Sequence, residues 1–313
     1  MAHVHHAASG SYEFLVSLSI ITTALVYLRG WVRLRSKPSS TPTNAAAAWR
    51  AWSFLVGLFF IWIAMGSSVA ALDEQLLTVH MVQHLLLMTL APPLIWLATP
   101  IAPLTHGFPK QFVRTVLRPV FEWPPVQELG KALGNPVFCW LAASAALVGW
   151  HIPPAFALGM QSAVWHTVEH ASFLAAGLLF WWPVIQPWPQ ASRGPSLSII
   201  LYLFLATLPC DILSGFLVFC DRVVYPAYFS SSHLFGLSAL GDQQCAGALM
   251  WTCVTVVYFV AGAILTTRLL SPENFRVPEL VRAELPASAV PQRVPHTAPQ
   301  TAPHTAPQTL EAF

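Results

Sequence analysis

Charged side chains are scarce in this sequence: they make up 9% of its 313 residues, whereas 55% are hydrophobic. Soluble domains average about a quarter charged residues, which they need to cover a surface that faces water. The composition therefore excludes an ordinary water-soluble fold and predicts that lipid surrounds most of the chain. The formal net charge is only +2, and no basic groove stands out, so nucleic acid is not expected as a partner.

Closely paired cysteines are also lacking. None of the five cysteines has the short spacing of a zinc site or a thioredoxin-like centre. Cys220 and Cys245 flank one predicted loop, and their spacing leaves a disulfide, a soft-metal site or no role equally open. The role of Cys210 is open as well. The first residues have no cationic stretch, so we expect no cleavable signal peptide.

Long apolar segments dominate what is present. A helix needs about 20 apolar residues to cross the hydrocarbon core, and seven candidates occur near residues 12–28, 51–71, 78–98, 136–152, 164–183, 196–219 and 246–270. The predicted fold is an all-α polytopic membrane helix bundle of about seven transmembrane helices over residues 1–275. Residues 276–313 are rich in Pro, Ala and Thr, which predicts a disordered cytoplasmic tail.

The cations define an orientation. Of the 15 lysines and arginines, only Arg222 falls on the side opposite to the others when the seven spans alternate. Because cation-rich loops stay in the cytoplasm, we expect the N-terminus outside and the C-terminus inside, in a bacterial inner membrane. Lys110, Arg114 and Arg118 recur every four residues and predict a short amphipathic helix on the inner leaflet.

Histidines gather at the outer ends of two spans. His80 and His84 lie in the third span, and His166 and His170 lie in the fifth. Each pair has i, i+4 spacing, which places both rings on one helix face. Neutral imidazole suits copper, zinc, iron and nickel, and nearby thioether sulfur favours Cu(I). We therefore predict that these four histidines bind a metal ion.

Further ionisable residues accompany them: His151, Glu169, Asp211 and Asp242. An Asp within a span costs about 2.5–3.5 kcal/mol on insertion scales, so such groups usually face a partner or a cavity. We predict that Glu169 and Asp211 orient the imidazoles or tune the charge of the site, with His151 and Asp242 as auxiliary residues. A lone membrane histidine is often a helix–helix hydrogen-bond partner instead, and His151 fits either role. The N-terminal histidines His3, His5 and His6 have an open role.

Other functions fit parts of the pattern. The run from His166 to His170 matches the His-x-x-Glu-His pattern of inverted zinc peptidases, with Glu169 as the base. A single haem between the third and fifth spans, a proton relay, or a copper or haem carrier unconnected to any oxidase also fits the residues.

Several stretches together resemble the bacterial CtaG family of multi-span cytochrome c oxidase assembly factors. The resemblance rests on residues 81–94, 150–153, 166–170, 177–183 and 236–244, in that order along the chain, and on Met250-Trp251. It covers about residues 50–270 and leaves out the N-terminal histidines and the tail.

The resemblance implies a non-enzymatic role in the maturation of a haem-copper oxidase. The chain would receive copper from a periplasmic copper donor and supply it to the active site of an oxidase subunit. The positions that carry over are His80, His84, His151, His166, His170 and Asp242. Cys210 and Asp211 do not match the family pattern with confidence, so the resemblance assigns them nothing.

Overall fold

The regular structure is helical wherever it is described. The computed structural model describes residues 2–36, 47–67, 70–185, 197–229 and 236–271, and these ranges contain helices and no strand. The prediction of an all-α fold is therefore confirmed. The predicted tail at 276–313 and the loop residue His233 lie outside the described residues.

We number the helices in chain order. They are α1 (Ala2–Arg35), α2 (Ala48–Gly66), α3 (Leu77–Leu97), α4 (Ile101–Gly107), α5 (110–122), α6 (Pro124–Leu133), α7 (Pro136–His151), α8 (Pro153–Gln161), α9 (Ala163–Ile185), α10 (Leu197–Phe219) and α11 (Ala239–Leu269). Short 3₁₀ turns at Ala70–Glu74 and Pro226–Tyr228 lie between them.

Six of the described helices are long and apolar enough to cross a membrane: α1, α2, α3, α9, α10 and α11. A seventh span results if α6 and α7, which meet at a 75° bend, count as one. The chain is thus a multi-pass membrane protein of six to seven spans. Helix α7 coincides with the predicted fourth span but has only 16 residues, because Asn135 caps its start and Pro153 follows its end.

Some short helices escaped prediction. The sequence predicts no helix between the fourth and fifth spans, but the structure starts α8 at Pro153. Proline fits the first turn of a helix because its missing N–H has no intrahelical partner in that turn. The amphipathic segment at residues 110–122 is helical as expected, with a π-helical turn at Val113–Leu117.

Helix α3 is the most buried of the candidate spans and packs against α2, α9 and α11. Its middle, Leu86–Leu90, is π-helical. Pro92 has no N–H to bond the carbonyl of Met88 four residues earlier, so that carbonyl is free for another donor. The Trp181 indole Nε1 donates to it at 3.2 Å, and this bond joins α9 to α3 inside the bundle.

Gly177 allows this close approach. A Cβ atom at Gly177 would lie 2.7 Å from both Cα and O of Met88, which are backbone atoms that cannot rotate away. The approach sets the distance between α3 and α9 one to two turns from His84 and His170.

The two ends of the bundle differ in their polar groups. Arg50 donates to Thr99 Oγ1 at 2.7 Å, and Arg33 donates to the carbonyl of His106 at 2.8 Å. Both contacts lie beyond the C-terminal end of α3, whereas His80 and His84 lie near its start. At a rise of 1.5 Å per residue, about 20 Å separate His84 from Leu97. The cytoplasmic assignment of the arginine end remains a prediction.

Replacing Gly177 with Ala should destabilise the protein by about 1–3 kcal/mol, the usual range for overpacking a tight contact. The measurement is thermal unfolding in detergent. Gly262→Ala is the matched control, because a Cβ there would meet nothing within 4 Å. Equal stability of the two variants would contradict a close α3–α9 contact.

Candidate metal centre

Helices α3 and α9 bring the four predicted histidines into one cluster. Ring centroids are 4.3 Å apart for His80 and His84, and 4.2 Å apart for His166 and His170. Between the helices, His80 lies 5.6 Å from His166, and His84 lies 5.8 Å from His170. The rings therefore form one group.

Glu169 lies inside this cluster. Its Oε1 is 3.4 Å from His80 Nε2 and 3.3 Å from His84 Nε2. The side chain is 1% exposed, and α8 presses on it, since a Cβ at Gly159 would lie 2.6 Å from Glu169 Oε2. Glu169 was predicted as an auxiliary group, and the geometry places its carboxylate within reach of a metal held by the imidazoles.

Asp73 is an acidic member that sequence reasoning missed. It lies in the 3₁₀ turn before α3, and its Oδ2 is 3.2 Å from His166 Nε2. The Tyr228 hydroxyl donates to the backbone carbonyl of Asp73 at 2.8 Å. Burial raises the pKa of Tyr228 well above its usual range, so the hydroxyl stays protonated and remains a donor.

Two sets of side chains have metal-ligand geometry, and they share His80. One set consists of Asp73, His80, His166 and His170, and the other of His80, His84 and Glu169. Within each set, one ligand atom per residue lies within 4.8 Å of all the others. Imidazole and carboxylate donors suit borderline transition metals such as zinc and copper. His84 belongs to the set with Glu169, and its ring centroid also lies 5.8 Å from that of His170.

The cluster is rich in buried polar atoms without hydrogen-bond partners among the described residues. They are His80 Nδ1 and Nε2, His84 Nδ1 and Nε2, His166 Nε2, His170 Nε2, and Glu169 Oε1 and Oε2. Buried polar groups are almost always paired, and each unpaired one costs about 1–3 kcal/mol. A cation at the centre would satisfy several of these atoms at once, so the residues present fit a metal ion.

His151 joins the edge of the cluster. Its ring lies 5.7 Å from that of His84, and its Nε2 lies 3.2 Å from Met81 Sδ. The Nδ1 of His151 lies 2.7 Å from the carbonyl of Leu147. The Tyr225 hydroxyl donates to the backbone carbonyl of His151 at 3.0 Å. His151 is thus fixed in orientation, as an auxiliary group should be.

Asp242 supports the cluster from a distance. It is the first-turn acid of α11, and its carboxylate accepts from the backbone N–H groups of Leu77 and Thr78 at 2.6 and 3.1 Å. Thr78 Oγ1 also donates to it at 2.6 Å. Helix α3 has no side-chain cap of its own, so Asp242 caps the helix that carries His80 and His84.

Asp211 belongs to neither ligand set among the described residues, although its Oδ1 is buried without a partner. Its neighbour Cys210 lines an intramembrane cavity together with His84, Met88 and Met250. Cys220 and Cys245 are free thiols, so no disulfide joins them.

The features that sequence reasoning missed had weak signals. Sequence reasoning assigns no role to Asp73, which precedes the third predicted span. An acid one 3₁₀ turn before a histidine-bearing helix, on the expected outer side, was the available signal. No spacing rule indicates that Met81 faces His151, because their contact depends on how α3 and α7 rotate against each other.

The fold and the cluster define the class of this protein: a multi-pass membrane protein with a buried group of histidine and carboxylate side chains near one end of its helix bundle. The model of the Caa3_CtaG family, described as cytochrome c oxidase caa3 assembly factor, matches residues 25–271. The chain therefore belongs to the family of caa3-type cytochrome c oxidase assembly factors, which confirms the resemblance seen in the sequence.

Relatives occur among mycobacterial proteins, each described as uncharacterized. Two of them, from Mycobacterium bovis and Mycobacterium tuberculosis, are 25% identical over 82% of this chain, and one from Mycobacterium leprae is 24% identical over 77%. The match covers 38%, 38% and 36% of these relatives, so the chain spans little more than a third of their length. No solved structure matches the chain.

Asp242→Ala should lower thermal stability and weaken the order of the His80–His84 turn. It leaves the Leu77 and Thr78 N–H groups unpaired, at a cost of about 1–3 kcal/mol. Asp242→Asn, which keeps one acceptor oxygen, should lose less. Unfolding in detergent measures both, with the exposed Asp221→Ala as control. An Asp242→Ala variant as stable as this control would refute the capping role.

Proposed function

We propose that this protein binds copper, as Cu(I), at the histidine–carboxylate cluster and supplies it to a haem-copper cytochrome oxidase during assembly. The family membership supports the oxidase as the client. The observation that carries copper binding is the set of buried, unpartnered nitrogen and oxygen atoms on His80, His84, His166, Glu169 and His170.

The charge of the cluster supports a cation. Glu169 carries a carboxylate with no lysine or arginine beside it among the described ion pairs, and Asp73 contributes a second carboxylate beside His166. A buried, uncompensated carboxylate is strongly unfavourable. A bound metal ion offsets this cost, which links metal binding to the stability of the bundle.

The topology supports delivery within the membrane. The proposed orientation follows from the cation distribution and puts the cluster on the outer side of the inner membrane. His166 is 26% exposed, whereas the other three predicted histidine ligands are buried. A metal ion from a periplasmic copper donor would reach the cluster through His166. The oxidase subunit would then contact this protein within the same membrane.

A non-enzymatic role fits Glu169 better than peptidase chemistry. A peptidase base must reach a metal-bound water and the substrate. Here Glu169 is buried between two imidazoles of α3 and touches α8. This setting supports a role of its carboxylate beside the metal and not as a peptidase base. Haem fits the cluster less well, because Phe173 stacks on His84 at 4.0 Å and Phe156 packs on His80 at 5.1 Å, where a macrocycle would need space.

The metal content of protein purified under reducing conditions tests the proposal. The wild type should retain stoichiometric copper, and a His84→Ala/His170→Ala variant should lose it and fail to support oxidase assembly in cells. His106→Ala is the control, since its Nδ1 bonds its own helix at the other end of the bundle.

Other outcomes have defined meanings. Copper and oxidase assembly that persist in the double variant would refute the site. Zinc in place of copper, together with loss of function in Glu169→Gln, would favour a peptidase. Copper uptake by vesicles that contain this protein without an oxidase would favour an independent carrier.

A further inference from the structure

We propose that the cluster offers one metal ion two alternative positions, an outer one and an inner one, and that the ion moves between them by exchanging ligands around His80. The inference rests on the proposed function and assigns a direction of transfer within the same site. Outer position denotes Asp73, His80, His166 and His170, and inner position denotes His80, His84 and Glu169.

The two positions differ in access. The outer one includes His166, whose side chain is 26% exposed, whereas its Asp73 is buried in the turn before α3. The ligands of the inner one are at most 4% exposed. A metal ion arriving from outside therefore meets the outer position first.

His80 prevents simultaneous occupancy. A neutral imidazole has one nitrogen with a free lone pair, while the other carries the proton. Both ring nitrogens of His80 are buried, and Nε2 lies 3.4 Å from Glu169 Oε1. One neutral His80 can ligate one metal ion at a time, in either set.

The transfer is a ligand exchange that leaves the oxidation state unchanged. The metal bonds to Asp73, His166 and His170 break as bonds to His84 and Glu169 form, and His80 stays bound. Asp73 and His166 then return to their mutual contact at 3.2 Å. The inner position opens toward the cavity that His84 lines with Met88, Cys210 and Met250, whose sulfur atoms suit Cu(I).

Two isosteric variants separate the positions. Asp73→Asn weakens the outer position, and Glu169→Gln removes the charge of the inner one. The full-length protein in detergent is loaded with Cu(I) from a weak chelator, and stopped-flow loading, removal by a strong Cu(I) chelator and X-ray absorption are recorded. The exposed Asp221→Asn is the control.

We expect Asp73→Asn to load about tenfold more slowly than wild type but to reach the same final absorption spectrum. Glu169→Gln should load at the wild-type rate, release copper about tenfold faster, and show more imidazole ligands than wild type. If the two variants show the same spectrum and the same rates as each other, the cluster has a single position. Two copper ions per wild-type chain would overturn the sharing of His80. No copper in the wild type would refute the proposed function itself.

A separate observation concerns Met81 and His151. The Leu147 carbonyl can only accept a hydrogen bond, so the nearby Nδ1 of neutral His151 carries the proton, and Nε2 carries the lone pair. Met81 Sδ has no proton to give, yet it lies 3.2 Å from this nitrogen. Two lone pairs therefore face each other in a buried contact with no hydrogen between them.

A soft cation would accept both lone pairs. The geometry points to Met81 and His151 as a soft ligand pair beside His84. Thioether sulfur selects Cu(I) over Zn(II) and other harder divalent ions. The pair would thus supply selectivity for Cu(I) that imidazole and carboxylate ligands lack. This inference also rests on the proposed function.

Met81→Leu conserves volume and tests the pair. The control is Met65→Leu, which changes a partly buried methionine of α2 that packs against the hydrophobic core. Met81→Leu should bind Cu(I) about tenfold more weakly while its affinity for Co(II) stays unchanged, and the Cu–S signal in X-ray absorption should disappear. An unchanged Cu(I) affinity, or an equal loss for both metals, would contradict a selective role. Absence of Cu(I) binding in the wild type would instead refute copper as the ligand.

Discussion

The carboxylate of Glu169 is the constraint on which this structure depends. It is buried between His80 and His84, and no described lysine or arginine balances its charge. In a low-dielectric interior such a charge costs several kcal/mol unless it is paired. Several nitrogen atoms of the surrounding imidazoles have no hydrogen-bond partner among the described residues, so the fold concentrates polar groups that a further cation would satisfy together. A ligand of this kind stabilises the folded state by mass action, and the bundle and its metal would then depend on each other.

The helices around the cluster explain how such a group is held in place. Lipid is as apolar as a leucine side chain, so close packing and interhelical hydrogen bonds hold transmembrane helices together. Gly177 brings α9 against Met88, and Pro92 frees the carbonyl that Trp181 bonds. Asp242 fixes the start of α3 from α11. These contacts lie on both sides of the His80–His84 turn, so the position of the ligand atoms is determined by several helices and not by α3 alone.

The spans and the histidine-bearing helix faces depend on periodicity and polarity, and they could be predicted from the sequence. The contacts between helices could not. Apolar length located the spans, and i, i+4 spacing placed His80 with His84 and His166 with His170 on shared faces. The rotation of one helix against another leaves no periodic signal. Glu169 was therefore predicted beside the site and found within it, and Asp73 was passed over as a loop residue. Helix α8 was not predicted because a proline interrupts the apolar pattern in the same way whether it follows the end of one helix or begins the next.

A donor of metal must bind its cargo and also release it. A closed tetrahedral site of four fixed ligands favours retention, as structural zinc sites show. This cluster has six candidate donor residues, more than the four of a tetrahedral site, and they are divided into two sets that share His80. For an ion bound as proposed, each ligand that leaves could be replaced by a neighbour, which would keep the barrier to movement low. Under the proposed transfer function these additional ligands have a role that they would not have in a purely structural metal site.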